Sequence, residues 1–200
     1  MSAASVEQAF EPEPIALTVI ADEIMERHPG YRVEIIGGHL LVSPAPDGPH
    51  SEALMLFAAP FMQLGLVRAL PGIGLWLPSG PEDYVIPDLS VVDDDYRHHL
   101  VENSCYDPTC FRLVMEVTST NWKTDLRDKV SSYARARIPV YVIVDRQHQR
   151  LHVLTDPAAD RYQVHSIHTA DELVTLPESV GGKVTLDVKR ILEAGHPTAN

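Results

Sequence analysis

The chain is poor in cysteine, in aromatic residues and in positive charge. Among 200 residues there are two cysteines, 6% aromatic side chains, and 16 Lys and Arg against 28 Asp and Glu, which gives a formal net charge of −12. This shortage of Lys and Arg argues against a broad basic surface that holds nucleic acid through its phosphates. If nucleic acid binds at all, we expect it to do so in a local groove.

The two cysteines also exclude several kinds of site. Cys105 and Cys110 are five positions apart, a spacing that matches neither a CxxC metal knuckle nor a redox motif. We interpret them as loop residues that stay reduced in a reducing compartment.

A long uninterrupted apolar run is missing as well. The most apolar stretch, 53–70, contains Pro60, Gly65 and Arg68, and it is too short and too polar for a convincing bilayer span. The first 14 residues carry no basic segment followed by an apolar one, so they do not resemble a secretory signal. We therefore expect a cytoplasmic protein that does not enter a membrane.

What is present is the composition of an ordinary globular protein. Hydrophobic residues make up 44% and charged residues 22% of the chain, and 200 residues suffice for one domain with a real core. We expect a flexible lead at 1–14, a single domain at 15–193 and a flexible tail at 194–200.

Hydrophobic periodicity predicts an α/β domain with a mixed central β-sheet flanked by helices, preceded by a helix and a β-hairpin. Gly37-Gly38 tolerates the positive φ of a tight hairpin turn. Strand 111–118, helix 124–137 and strand 139–145 predict a parallel crossover. The other predicted elements are helix 16–27, hairpin 31–43, helix 50–70 bent at Pro60, strands 72–77 and 84–92, a polar connection at 93–108, short antiparallel strands at 150–154, 161–167, 172–176 and 183–186, and helix 188–192.

Three residues stand where packing alone would not place them. Asp88 and Glu116 fall inside predicted strands, 84–92 and 111–118, where a carboxylate is costly to bury unless it is paired, protonated or bound to a cation. Lys129 lies on or beside the inward face of the predicted helix. Two carboxylates on neighbouring strands could share a divalent cation, and hard oxygen ligands favour Mg²⁺ or Mn²⁺ over Zn²⁺. A nearby ammonium would stabilise negative charge on a phosphate, or orient or deprotonate the attacking water.

Each of the three also has a purely structural interpretation. Asp88 after Pro87 is typical of a turn that begins a strand. Lys129 could pair with Asp125 on the helix surface. Glu116 could form an ion pair with Arg112 or Lys129 without any catalysis.

The motifs around these residues resemble a known family. PDLSVV at 87–92, LVMEVTST at 113–120 and DLRDKVSSYARARIPVYVIVD at 125–145 are similar to the Uma-two family of bacterial restriction endonucleases, a branch of the PD-(D/E)xK nuclease superfamily. YRVEIIGGHLLVSPAPDGPHSEAL at 31–54 resembles the family's N-terminal hairpin, Ser-Pro loop and following His. The resemblance covers about residues 15–155, and its order and spacing are more specific than any single motif.

The resemblance implies a restriction-endonuclease-like fold and assigns the same three residues. Asp88 matches the Asp of the PD element and Glu116 the acidic residue of the (D/E)xK element, so both are expected to be metal ligands and catalytic residues. Thr118 stands where the superfamily usually has lysine, which is a departure from the pattern. Lys129, 13 positions after Glu116, occupies the place to which this family's lysine has moved.

Two further residues stay open. Glu34 matches a glutamate that is common in the family and is either a further ligand or, as we favour, simply a charge on the hairpin. His50 opens the second predicted helix and is interpreted as a helix-start residue near the site, since a lone His is more often structural than catalytic.

These observations favour a Mg²⁺- or Mn²⁺-dependent endonuclease that hydrolyses phosphodiester bonds, with DNA as the favoured substrate. Asp88, Glu116 and the Val117 carbonyl would hold the cation, and Lys129 would neutralise charge on the phosphate. A homodimer is expected only by analogy with nucleases that cut two strands. The alternatives are a catalytically silent binding or scaffold protein on a nuclease fold, favoured by Thr118 and the acidic surface, and a metal-dependent hydrolase of another substrate.

Overall fold

A six-stranded mixed sheet forms the centre of the computed structural model, which describes residues 15–118 and 122–196, without the side chains of 122–127. The predicted lead at 1–14 lies outside the described residues, as do residues 197–200 of the predicted tail. The α-helices of the described part are α1 (Leu17–Arg27), α2 (Gly48–Ala58), α3 (Trp122–Arg135) and α4 (Val188–Gly195). The strands are β1 (Arg32–Ile36), β2 (His39–Ser43), β3 (Val67–Pro71), β4 (Gly74–Trp76), β5 (Tyr84–Val85), β6 (Leu89–Asp93), β7 (Leu100–Glu102), β8 (Cys105–Tyr106), β9 (Phe111–Val117), β10 (Val140–Asp145), β11 (Arg150–Ala158), β12 (Arg161–His168), β13 (Leu173–Thr175) and β14 (Thr185–Asp187).

The central sheet has the strand order β12-β11-β10-β9-β6-β3. β9 and β10 run parallel, with Val114 opposite Tyr141, and α3 connects them, while the other neighbours in this sheet are antiparallel. A second sheet has the order β2-β1-β5-β4-β8-β7, and β13 pairs with β14 alone. The predicted mixed sheet and the parallel crossover are therefore confirmed.

The hairpin β1–β2 turns at Gly37 and Gly38, whose φ values are 58° and 74°. Positive φ at both central residues suits the tight turn that matches the twist of two antiparallel strands. The Asp83 carboxylate accepts the backbone N–H groups of both glycines, at 2.9 and 3.1 Å. The turn is thus tied to the loop that precedes β5.

The helix predicted for 50–70 is wrong in its second half. α2 ends at Ala58, a short 3-10 turn covers Phe61–Gln63, and β3 then joins the edge of the central sheet. Pro60 has no N–H for a further helical hydrogen bond. The apolar residues that follow it therefore pack on the sheet as a strand.

The strand predicted for 84–92 is in fact two strands in two sheets. β5 belongs to the second sheet and β6 to the central sheet, and residues 86–88 lie between them. Pro87 cannot donate to a ladder and restricts the residue before it. Asp88 therefore lies at the passage from one sheet to the other and not inside a strand.

The connection predicted for 93–108 also contains structure, because β7 and β8 extend the second sheet there. Cys105 lies in β8, parallel to β4, and Cys110 ends a 3-10 turn; both thiols are buried. Their interpretation as loop residues is wrong, since they pack as small apolar side chains.

The hydrophobic core divides between the two faces of the central sheet. On one face, α2 and α4 pack on alternate strand residues such as Met115 and Val142. On the other face, α3 and the second sheet pack on Val114 and Tyr141. Because side chains alternate along a strand, Glu116 shares the face of Val114. In the described residues, no helix is both long and apolar enough to cross a membrane.

We predict that Gly181→Ala destabilises the protein. Gly181 has a φ of +102°, and a Cβ there would lie 2.4 Å from Val67 Cγ1. Strain at positive φ and overpacking against β3 should together lower the free energy of unfolding by about 2–4 kcal/mol. Urea denaturation measures it. Gly48→Ala is the matched control, because a Cβ at Gly48 meets nothing within 4 Å. Equal stability of the two variants would contradict the prediction.

Candidate active site

Side chains from both sheets and from α3 meet beside the passage between the sheets. The three residues predicted from the sequence are brought together there. The ammonium Nζ of Lys129 lies 2.8 Å from Glu116 Oε1, and Asp88 Oδ2 accepts the N–H of Val117 at 2.8 Å. The β6–β9 register places Leu89 opposite Met115. One position further along this antiparallel pair, Asp88, just before β6, comes beside Glu116 of β9.

Glu116 is a buried carboxylate near the end of β9. Besides the ammonium of Lys129, its Oε1 accepts a hydrogen bond from the Tyr133 hydroxyl at 2.6 Å. Burial raises the pKa of Glu116 to about 7, and although Lys129 opposes this rise, Asp88 adds to it. Tyr133 therefore both packs in the core beside α3 and contacts the site.

Lys129 bridges the two sheets from its place on α3. Its Nζ lies 2.8 Å from Glu116 in the central sheet and 3.1 Å from Glu34 Oε1 in the second sheet, and the side chain is 7% exposed. Burial by itself would lower the pKa of Lys129, but the two carboxylates raise it above its ordinary value. The proposed surface pair with Asp125 involves a side chain outside the described residues.

Three groups face the Asp88 carboxylate, two of them as hydrogen-bond donors. Arg32 Nη1 lies 2.8 Å from Oδ1, the N–H of Val117 reaches Oδ2, and the Nε2 atom of His50 lies 3.3 Å from the same Oδ2. Burial alone would raise the pKa of Asp88, but His50 and Arg32 lower it well below its usual range. Asp88 is therefore an anion at neutral pH, and His50 lies near the site at the first turn of α2 as expected.

Glu34 is not a surface charge of the hairpin. It is 1% exposed, accepts the N–H of Ile86 at 2.8 Å and faces Lys129. Glu34 is therefore a buried charge of the hairpin that pairs with Lys129 on α3, 3.1 Å from its Nζ, and its interpretation as a hairpin charge rather than a metal ligand stays a prediction.

Arg32 is the site residue that the sequence reasoning missed. Arg32 precedes Glu34 by two positions on β1 and therefore lies on the same face of the strand. Once Glu34 is known to face the site, this spacing of two predicts that Arg32 faces it as well. The alternative partner proposed for Glu116, Arg112, pairs instead with Asp93 through two contacts of 2.7 Å.

The donors at this site fit a hard divalent cation. Across 15–118 and the described side chains of 128–196, no group of three or more His, Cys, Asp or Glu is arranged to hold a metal ion. Mg²⁺, however, is commonly held by only one or two carboxylates, with water and substrate phosphate as its other ligands. Asp88 and Glu116 can supply that pair. Three carboxylates here face the two cations Arg32 and Lys129. Burial is the main cause of the raised pKa of Glu116, and the neighbouring charges of Asp88 and Glu34 add to it.

We predict that the stability of the wild type, relative to Glu116→Gln, falls as the pH rises from 5 to 8 in EDTA. The pKa of Glu116 is raised from 4.5 to about 7, so between these values the folded state holds a proton that the unfolded state has released. Raising the pH therefore favours unfolding of the wild type, by on the order of 1–3 kcal/mol. Urea denaturation at each pH measures the difference, which should be flat for the exposed control Glu193→Gln. A flat profile for Glu116→Gln would contradict the prediction.

We predict that Tyr133→Phe and Tyr141→Phe differ sharply. The Tyr133 hydroxyl donates to Glu116, and loss of a hydrogen bond to a buried charged group should lower the free energy of unfolding by about 1.5–3 kcal/mol. The buried Tyr141 hydroxyl has no partner among the described residues, so its removal should leave stability within about 0.5 kcal/mol or increase it. Thermal and urea denaturation compare the two. A larger loss for Tyr141→Phe would overturn the assignment.

Comparisons with known proteins agree with this architecture. No curated protein matches the chain. The crystal structure of "a putative nuclease belonging to DUF820" from Anabaena variabilis is similar, with a TM-score of 0.66 and 19% sequence identity over 90% of this chain and 99% of that one. At this identity the likeness concerns the fold, and it confirms the restriction-endonuclease-like fold predicted from the sequence. The model of the Uma2 family, described as "Putative restriction endonuclease", matches residues 21–189, and the chain therefore belongs to the Uma2 family.

Proposed function

We propose that the chain is a Mg²⁺- or Mn²⁺-dependent endonuclease that hydrolyses phosphodiester bonds, with DNA favoured as its substrate. Membership of the Uma2 family supports a nuclease in general terms. One observation carries the finer proposal. Lys129 Nζ lies 2.8 Å from the buried Glu116 carboxylate, beside a second buried carboxylate, Asp88, which is kept ionised.

Asp88 and Glu116, with the Val117 carbonyl, are the groups that would hold the cation. When bound, a divalent cation supplies Lewis-acid polarisation of a phosphate and a more acidic water. Asp88 is held in orientation by the Val117 N–H and by Arg32. Without the cation, burial raises the pKa of Glu116 to about 7, and a bound divalent cation would favour the ionised form of this carboxyl group.

Lys129 acts as a cation and not as a base in this proposal. Its pKa is raised by Glu116 and Glu34, so the ammonium keeps its proton at neutral pH. A fixed positive charge in a water-poor site stabilises the negative charge that develops on a phosphate in the transition state. Glu34, 3.1 Å from Nζ, is a second carboxylate that holds the ammonium in position.

Thr118 explains why the lysine comes from α3. It stands where the superfamily usually has lysine, and it is used for structure. Its hydroxyl donates to the Val144 carbonyl at 3.3 Å and accepts the N–H of Arg146 at 3.0 Å. A lysine at 118 would lose these contacts between β9 and the end of β10, whereas Lys129 reaches Glu116 without disturbing them.

A catalytically silent binding protein is the second candidate. Two observations favour it: the net charge of −12, which repels nucleic acid, and the occupation of both Asp88 oxygens by protein donors. In that case the charged side chains of the site serve as an ion-pair network that fixes the two sheets to α3. They are Arg32, Glu34, Asp88, Glu116 and Lys129.

We predict that purified protein nicks supercoiled plasmid in Mg²⁺ or Mn²⁺ and that EDTA abolishes the reaction. Asp88→Asn, Glu116→Gln and Lys129→Met should each reduce the rate by about 100-fold or more, because each removes a metal ligand or the fixed positive charge. The matched controls are Glu193→Gln and Lys189→Met, which change an exposed ion pair on α4 and should leave the rate unchanged.

Calorimetric titration with Mn²⁺ on the same preparations separates the two candidates. The nuclease requires binding that is lost in Glu116→Gln. Folded wild type that neither binds Mn²⁺ at millimolar concentration nor nicks DNA would instead establish the silent protein. Nicking that survives in all three site variants would show that another protein or another site cuts.

A further inference from the structure

Arg32 lies in the site beside Asp88, and the proposed metal-dependent reaction uses it only to orient that carboxylate. Its guanidinium donates to Asp88 Oδ1 at 2.8 Å, and the charges of Glu116 and Glu34 also act on it and raise its pKa. The side chain is 27% exposed, so it reaches the site from the solvent side. Arg32 thus carries a positive charge among the carboxylates that would hold a divalent cation.

The three groups that face Asp88, namely Arg32, the N–H of Val117 and His50, differ in their freedom to move away. The N–H of Val117 is fixed in the backbone of β9, and His50 is buried at the first turn of α2. Arg32 is the long, partly exposed side chain of the three. A cation arriving at Asp88 Oδ1 would repel the guanidinium at contact distance, and Arg32 is the group that can move away.

The guanidinium also carries a spare donor. Arg32 Nε is buried, and no acceptor among the described residues bonds to it. An unsatisfied buried donor is costly, and it requires a structural or functional reason. Nε together with one Nη forms the planar fork that binds two oxygens of a phosphate at once.

We propose that Arg32 occupies the cation position at Asp88 in the metal-free protein, and that a divalent cation displaces its guanidinium, which then binds a phosphate of the nucleic acid. This inference rests on the proposed function, because it uses the same two metal ligands. The charges agree with it: when Glu116 is ionised, Asp88, Glu116 and Glu34 against Arg32 and Lys129 leave one negative charge in excess, and a divalent cation would turn this into one positive charge. The site then attracts an anionic phosphodiester only after the metal has bound.

The test compares Mn²⁺ binding by calorimetry in wild type, Arg32→Gln and Arg32→Lys. We expect Arg32→Gln to bind Mn²⁺ at least fivefold more tightly, because the competing charge is gone, with Arg32→Lys between the two. Loss of a merely structural contact would not tighten metal binding. If Arg32→Gln fails to fold, Arg32→Lys is compared with the wild type instead. It is expected to bind Mn²⁺ more tightly than the wild type, since a lysine keeps the charge but not the planar fork, and equal binding would count against the displacement. Arg68→Gln is the control, because Arg68 pairs with Asp94 at the surface, with its side chain 47% exposed.

A second measurement addresses the phosphate. Fluorescence anisotropy of a labelled DNA duplex in saturating Mn²⁺ is recorded directly after mixing, before turnover consumes the probe, with Lys129 kept in every protein. Adding Arg32→Gln should weaken DNA binding at least fivefold in Mn²⁺ and by less than twofold in EDTA, whereas Arg68→Gln should change neither value.

The outcomes separate this inference from the proposed function. Wild type that binds Mn²⁺ and a folded Arg32→Gln that binds it no more tightly overturn the displacement and leave the metal-dependent nuclease standing. Failure of both proteins to bind Mn²⁺ at millimolar concentration overturns both proposals. Tighter Mn²⁺ binding with unchanged DNA affinity retains Arg32 as the competitor and overturns its role as the phosphate ligand.

Discussion

A single buried ammonium joins the parts of this structure. Lys129 on α3 contacts Glu116 in the central sheet and Glu34 in the second sheet, and all three side chains are buried. Burying charges costs several kcal/mol per ion, and such a group is weak evidence for stability in itself. A cluster of this kind persists for specificity or for chemistry. Here it ties α3 to both sheets, through contacts of 2.8 Å to Glu116 and 3.1 Å to Glu34.

The site lies where the chain leaves one sheet for the other, and backbone hydrogen bonding explains part of its construction. Passage through residues 86–88 leaves N–H groups without a ladder partner, and buried N–H groups need acceptors. Glu34 accepts the N–H of Ile86, and Asp88 accepts the N–H of Val117 at the end of β9. The same carboxylates that give the site its charge thus complete the backbone hydrogen bonding of the fold.

The pKa values of the two central carboxyl groups are shifted in opposite directions. Asp88 is buried, but nearby His50 and Arg32 keep its pKa well below the usual range, whereas burial raises the pKa of Glu116 to about 7. Two carboxyl groups whose pKa values are moved apart are a common feature of active sites. The neighbouring Thr118 ties β9 to the end of β10, and the positive charge beside Glu116 comes from Lys129 on α3.

The sequence by itself determined the elements whose signals are local. Gly37-Gly38 gave the hairpin, and the apolar runs around 111–118 and 139–145 gave the parallel pair with its connecting helix. The free-energy cost of burying a carboxylate inside a strand singled out Glu116, and the spacing of apolar residues along the predicted helix placed Lys129 on or beside its inward face. Asp88 was singled out too, although its place at the junction of the sheets was not foreseen.

Only the tertiary structure decided which partners these faces meet. Periodicity says that a residue points inward, but it carries no information on which distant element covers it. The burial of Glu34 follows from the position of β1 inside a second sheet, and the place of Arg32 follows from the approach of that sheet to Asp88. The same reason accounts for β3, whose apolar residues suit a helix or a strand equally until an open edge of the central sheet receives them.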